Sequence, residues 1–127
     1  MKSVFLVISL SFFHFSSFAA VILQYHHVND STPASTSISP TQFAAHLKYL
    51  NDNNFTVVPL SQLVDGIKKQ TALKDKLVAI TFDDAYSDIV SHAKPLLDQY
   101  NYPYTIFTNP EIIERKSARY LSWSQLK

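Results

Sequence analysis

The hydrophobic residues of this chain fall into short runs and helical stripes that take turns. Val21-Ile22-Leu23-Gln24-Tyr25 is a short apolar run of the kind a buried strand uses. A polar segment rich in Ser, Thr and Pro follows and ends at Ser39-Pro40, a cap and a first-turn proline that together start a helix. Phe43, Leu47 and Leu50 then stand at i, i+4 and i+7, one apolar stripe on a helix of about three turns. Thr56-Val57-Val58 predicts a second strand, and Ser61 is placed to cap a short helix carrying Leu63, Val64 and Ile67. Leu77 to Phe82 is the clearest strand, apolar on both faces as a parallel strand covered on both sides should be. Ile89, Val90, Ala93, Leu96, Leu97 and Tyr100 mark the next amphipathic helix, which Pro95 either starts near Ser91 or kinks. Tyr104 to Thr108 reads as a fourth strand closed by Asn109-Pro110, and Ser122 is placed to cap a further helix at Trp123.

Strands alternating with crossover helices predict an α/β fold with a parallel sheet and right-handed connections. Four strands do not close a barrel of the usual size, so at least one sheet edge is expected to stay open.

The residues ahead of the first strand change the picture. Lys2, the apolar stretch Val4 to Phe13 and the small residues of Ser17-Phe18-Ala19 have the layout of a cleavable signal peptide. This predicts a signal over 1–19, a mature domain over 20–127, and export to the periplasm, the cell surface or the medium. The apolar stretch is short of the ~20 residues a bilayer span needs. No charged residue occurs between Lys2 and Asp30, however, so an uncleaved anchor stays open as the alternative. Contact with a membrane is expected only through this segment.

Composition mainly excludes. A net charge of +1 gives no long-range field, and no Lys/Arg run is interleaved with aromatics, so nucleic acid is not an expected partner. The chain has no Cys, which removes disulfides, thiolate metal sites and a Cys nucleophile. Its single Gly removes every Gly-rich phosphate loop.

In parallel α/β folds ligands sit at the carboxyl ends of the strands. Two places along the chain put polar side chains there: Tyr25-His26-His27-Val28 after the first strand, and Thr81-Phe82-Asp83-Asp84-Ala85-Tyr86-Ser87-Asp88 after the third. Neighbours on an extended chain point to opposite faces, so Asp83 and Asp84 can divide two tasks, metal binding and proton abstraction. The same pair also suits a helix cap and a favourable charge at a helix dipole, and Asp88 reads best as that cap. His26 fits either a packed or a functional histidine. His27 faces the other way and reads as structural, while Tyr25, Tyr86 and Trp123 read as core or pocket wall.

The run Thr81 to Asp88 resembles the first signature of the polysaccharide deacetylase family, carbohydrate esterase family 4. Ile22 to Val28 is similar to the opening strand of the subgroup that includes poly-N-acetylglucosamine deacetylases. Ile38 through Phe43, Leu47, Leu50 and Phe55 to Leu60 resembles the helix and strand that follow, and Pro103 to Phe107 and Tyr120 to Trp123 resemble later segments in the same order. This resemblance implies the first part of an incomplete (β/α) barrel and metal-assisted hydrolysis of an N-acetyl, or sometimes O-acetyl, group on an extracellular sugar polymer. Asp83 would be the general base and Asp84 a ligand of a divalent metal, usually zinc, with His26 and Tyr86 lining the substrate pocket. Two departures accompany it. Ala85 stands where the family usually has Gly, which restricts the backbone there. The family's His-x-x-x-His metal ligands and its later acid histidine are absent from these 127 residues, so the metal site is incomplete and these residues alone are expected to be inactive. The alternatives are a split enzyme, with a second polypeptide supplying the missing half, and a non-catalytic remnant that binds glycan or a partner.

Overall fold

The computed structural model describes residues 20–126; the segment read as an export signal, 1–19, lies outside them. Strand β1 (Val21–Tyr25) leads through a one-residue break into β2 (His27–Val28), which pairs in parallel with β3 (Ser37–Ile38). This second ladder is two residues long, too short to leave any periodicity in the sequence. Helix α1 (Pro40–Asp52) starts where Ser39-Pro40 predicts. The Ser39 hydroxyl accepts from the Gln42 N–H at 3.0 Å, while the Gln42 side chain accepts from the Ser39 N–H at 3.4 Å, a reciprocal capping box. Its stripe of Phe43, Leu47 and Leu50 is buried.

Strand β4 (Thr56–Val57) is followed by α2 (Leu60–Lys68). Ser61 does not cap α2. The helix begins at Leu60, two residues before the start that a Ser61 cap would give, which leaves Ser61 inside the first turn and no side-chain bond at the cap. Gly66, the only glycine, lies on α2 where a Cβ would come within 2.3 Å of Leu73 Cδ2, so the close approach of Leu73 accounts for it.

Strand β5 (Leu77–Phe82) is the centre of the main sheet, and all six of its residues are buried. β1 pairs along one side, from Val21↔Val78 to Tyr25↔Phe82. The other side takes β4 at the start, Thr56↔Leu77, and β6 (Thr105–Ile106) at the end, Phe82↔Ile106; every pairing is parallel. Among the described residues β1 pairs only with β5, and Val21 and Ile22 at its open edge are 41% and 52% exposed.

Beyond β5 the chain enters a π-helical turn (Ile89–Ala93) and then α3 (Lys94–Asp98). Pro95 accounts for the join. It sits in the first turn of α3, where a missing N–H is harmless, and the Lys94 N–H reaches back to the Ile89 carbonyl in a wide turn. Asp88 precedes that turn but does not cap it: it makes no side-chain cap bond, because its carboxylate is engaged elsewhere. Asn109 does cap α4 (Pro110–Glu114), accepting from the Glu111 N–H at 3.0 Å. Ser122 makes its bonds with Ser124 and Gln125 in a turn.

Candidate active site

The β1–β5 register decides which side chains meet. Past Tyr25↔Phe82 the ladder continues by one bond, from the Asp83 N–H to the Tyr25 carbonyl at 2.9 Å. Side chains alternate along both strands, so Gln24, His26 and Asp83 share one face at the carboxyl end of the sheet. There the Gln24 amide Nε2 donates to Asp83 Oδ2, and His26 Nε2 stands 3.8 Å from the same oxygen. Asp83 and His26 are both partly open to solvent. Gln24 is a site residue that sequence reasoning passed over; the signal for it was period-two spacing from His26 on a strand already recognised. Gln24 to His27 also line a cleft of about 180 Å³ together with Ser35 to Ile38.

After Asp83 the backbone turns sharply. Asp84 and Ala85 both take left-handed conformations, φ 65° and 51°. Asp tolerates that region through its short polar side chain, whereas for Ala it is strained. Asp84 therefore leaves the strand direction and does not join the Gln24–His26–Asp83 group. Two strand-like contacts hold the turn from outside: the Leu121 N–H donates to the Ala85 carbonyl at 2.8 Å, and the Ser87 N–H to the Arg119 carbonyl at 2.9 Å.

His27, one step from His26, points the opposite way and is buried. Its Nδ1 lies 2.7 Å from Asp88 Oδ2, and Asp88 Oδ1 accepts from the Val28 N–H at 3.3 Å. Tyr86 is sandwiched between His27, with ring centroids 3.6 Å apart, and Tyr120, at 5.1 Å, so it does not line the cleft beside His26. Burial, and after it the Asp84 carboxylate, push the Tyr86 hydroxyl above its ordinary pKa. The remaining described histidines are held as structural groups. His92 Nδ1 donates to the Val28 carbonyl at 2.7 Å, and His46 Nδ1 pairs with the Tyr25 hydroxyl at 3.0 Å.

The donor set does not by itself fit a metal. No group of three or more His, Cys, Asp or Glu side chains able to hold an ion is found among the described residues. A stable zinc site needs more protein ligands than Asp84 alone provides.

Residues 70–127, which include the strained turn and both segments that grip it, match the family model described as polysaccharide deacetylase. These residues are a polysaccharide deacetylase family domain. The chain is 31% identical over 106 residues to YxkH of Bacillus subtilis (strain 168), a protein that carries the polysaccharide deacetylase name. That match covers 84% of this chain and 37% of YxkH. It is 24% identical over 85 residues to the poly-beta-1,6-N-acetyl-D-glucosamine N-deacetylase of Escherichia coli K12, covering 65% of this chain and 13% of that protein. The solved structure of IcaB from Ammonifex degensii superposes with a TM-score of 0.72 at 30% identity, over 86% of this chain and 47% of IcaB. The chain thus spans less than half the length of these relatives. Its parallel sheet and helices are the corresponding part of the polysaccharide deacetylase (β/α) fold.

Proposed function

We propose that this polysaccharide deacetylase-family chain takes part in hydrolysing N-acetyl groups from an amino-sugar polymer, with Asp83 as the general base. The observation that carries the proposal is the convergence of Gln24, His26 and Asp83 at the carboxyl end of the sheet. A carboxylate held by an amide donor keeps one orientation and can accept the proton of a water attacking the acetyl carbonyl. The C–N bond then breaks, the amine takes up a proton, and acetate and a free amino sugar are released. His26 faces the same carboxylate and lines the adjoining cleft, where it is placed to meet the sugar or carry a proton. In this reading Asp84 offers one carboxylate to a divalent metal, zinc by family resemblance, whose other ligands lie outside the described residues. Such a metal supplies a more acidic water and polarises the carbonyl.

Residues 1–19 belong to this proposal as an export signal, which places the substrate outside the cytoplasmic membrane. The printed name of the Escherichia coli relative favours poly-N-acetylglucosamine as that substrate. The test is acetate release from N-acetylglucosamine oligomers by the protein in the full length its gene encodes, with and without zinc. Asp83→Asn should lower kcat by about a thousandfold or more, within the range for loss of a general base in a preorganised site. Unchanged acetate release in that variant would remove Asp83 from the mechanism.

A glycan-binding role without catalysis is the second reading, favoured by the lack of a metal-binding group among the described residues. Oligosaccharide binding that survives both Asp83→Asn and chelation, with no acetate released by the parent protein, would establish it instead.

A further inference from the structure

The stretch Gln24–Val28 touches the Asp83–Asp88 turn at both of its ends, each time with one side chain and one backbone group. At the near end the Gln24 amide and the Tyr25 carbonyl hold Asp83. At the far end His27 Nδ1 and the Val28 N–H hold the two oxygens of Asp88. Between these ties lie Asp84 and Ala85, two successive residues in the left-handed region, a conformation that persists only where its surroundings enforce it. Both partners of the far tie are almost fully buried, His27 at 5% and Asp88 at 7% exposure. A buried carboxylate is costly unless it is hydrogen-bonded, and Asp88 meets that condition by accepting from an imidazole and a backbone N–H together. Stacking on Tyr86, itself a residue of the turn, fixes the His27 ring plane, and Tyr120 closes the stack.

We propose that the buried His27–Asp88 pair is the brace that sets the Asp83–Asp84 turn, which makes both residues positioning residues for deacetylation. The inference rests on the assignment of Asp83 as base. Neither residue is hydrogen-bonded to Gln24, His26 or Asp83. They act by fixing where the turn ends, and therefore how far Asp83 and Asp84 can swing as the strain at Ala85 seeks release. Reactive groups held slightly out of place lose about tenfold to a hundredfold in rate, with little effect on substrate binding elsewhere.

The experiment uses the full-length protein and N-acetylglucosamine oligomers. It compares His27→Gln, Asp88→Asn and the double variant with the parent and with Asp83→Asn, each assayed well below its own melting temperature. The expected result is a fall in kcat of about tenfold to a hundredfold for each single variant, KM within about twofold, and a double variant no worse than the worse single one. Such a split is not expected of a pair that merely holds up the domain. Parent-like kcat with a lowered melting temperature would overturn the proposal. So would failure of both single variants to fold, because the pair would then support the domain and not the turn. If Asp83→Asn keeps parent activity, the assignment of the base fails first; if it is inactive while His27→Gln and Asp88→Asn are fully active, only the brace fails.

Discussion

The two faces of β5 support different things. Val78, Ile80 and Phe82 point into the larger cluster, with Phe43 and Leu47 from α1, Leu97 from α3, and also Val28 and Ala85. Leu77 and Ala79 point the other way into a small cluster with Val58 and with Leu63 of α2. The larger cluster therefore contains residues of the site itself. Ala85 belongs to the strained turn, and Val28 donates the N–H that Asp88 accepts. The small cluster contains none of them and packs at the opposite end of the strand. One strand thus packs on α1 and α3 through its even-numbered residues, in the cluster that also holds Ala85 of the turn, and anchors α2 through Leu77 and Ala79 on the odd-numbered face that ends at Asp83. Stability and site geometry should be coupled on the first face and separable on the second.

Substitutions of equal kind on the two faces sharpen that difference. Phe43 is fully buried and stands edge-on to Tyr25, with centroids 5.0 Å apart, beside Phe82 at 5.9 Å. Phe43→Ala should cost about 4 kcal/mol and also lower kcat in the protein that remains folded, since Tyr25 and Phe82 adjoin Asp83. Leu63→Ala, in the small cluster, should cost about 2–3 kcal/mol and leave kcat per folded molecule unchanged. Denaturant melts paired with acetate-release assays check both. An equal kcat loss in Leu63→Ala would mean that the two faces are not independent.

The same division explains what was legible in the sequence. β5 was readable to the residue because six consecutive buried positions leave an unbroken apolar run, and α1 because a serine cap, a first-turn proline and a stripe mark it. The site was legible as a pair of strand ends, but not in its pairings. Nothing local says that Asp88 forgoes a helix cap for a histidine 61 positions away, or that Gln24 meets Asp83 across 59. Such partners are set by register, and register comes from the whole sheet. β2, β3 and β6 are two residues each, so no period exists to be read. Tyr86 was read as a wall from its position after the motif; only the tertiary stack shows it covered on both faces.

A smaller effect separates the helix-facing side of β1 from its reactive side. Tyr25 points toward α1, where burial pushes its hydroxyl up to about 12 and His46 Nδ1 is its 3.0 Å partner. The folded state then holds the phenolic proton more tightly than the unfolded chain, whose tyrosines titrate near about 10. The sign follows: stability is fully present below about pH 10 and is lost as pH rises toward about 12, by roughly 1 kcal/mol at pH 11 from this residue. Tyr25→Phe should flatten part of that alkaline loss. Tyr102 and Tyr104, which burial also raises, should keep the rest. Melting curves from pH 9 to pH 12 make the measurement, and a parent-like slope in Tyr25→Phe would show that this hydroxyl is not desolvated.

The smallest effect is expected at the second left-handed residue of the turn. Ala85 at φ 51° carries a strain of about 1–2 kcal/mol that glycine would relieve. Its methyl group, however, is fully buried in the larger cluster, and losing a buried carbon costs about 1 kcal/mol. Glycine would also gain freedom in the unfolded chain, worth a further ~0.5–1 kcal/mol against folding. These terms nearly cancel, so Ala85→Gly should lie within about 1 kcal/mol of the parent. Ala85→Val should do worse by more than about 2 kcal/mol, because it adds a β-branched side chain at positive φ to an already filled space. A gain above about 2 kcal/mol in Ala85→Gly would mean that the methyl contributes no packing and the turn is held by its hydrogen bonds alone. Near-neutrality would mean that core packing has taken over the part a glycine plays by its freedom, which ties the strained turn to the face of β5 that carries Phe82 and packs against Phe43 of α1.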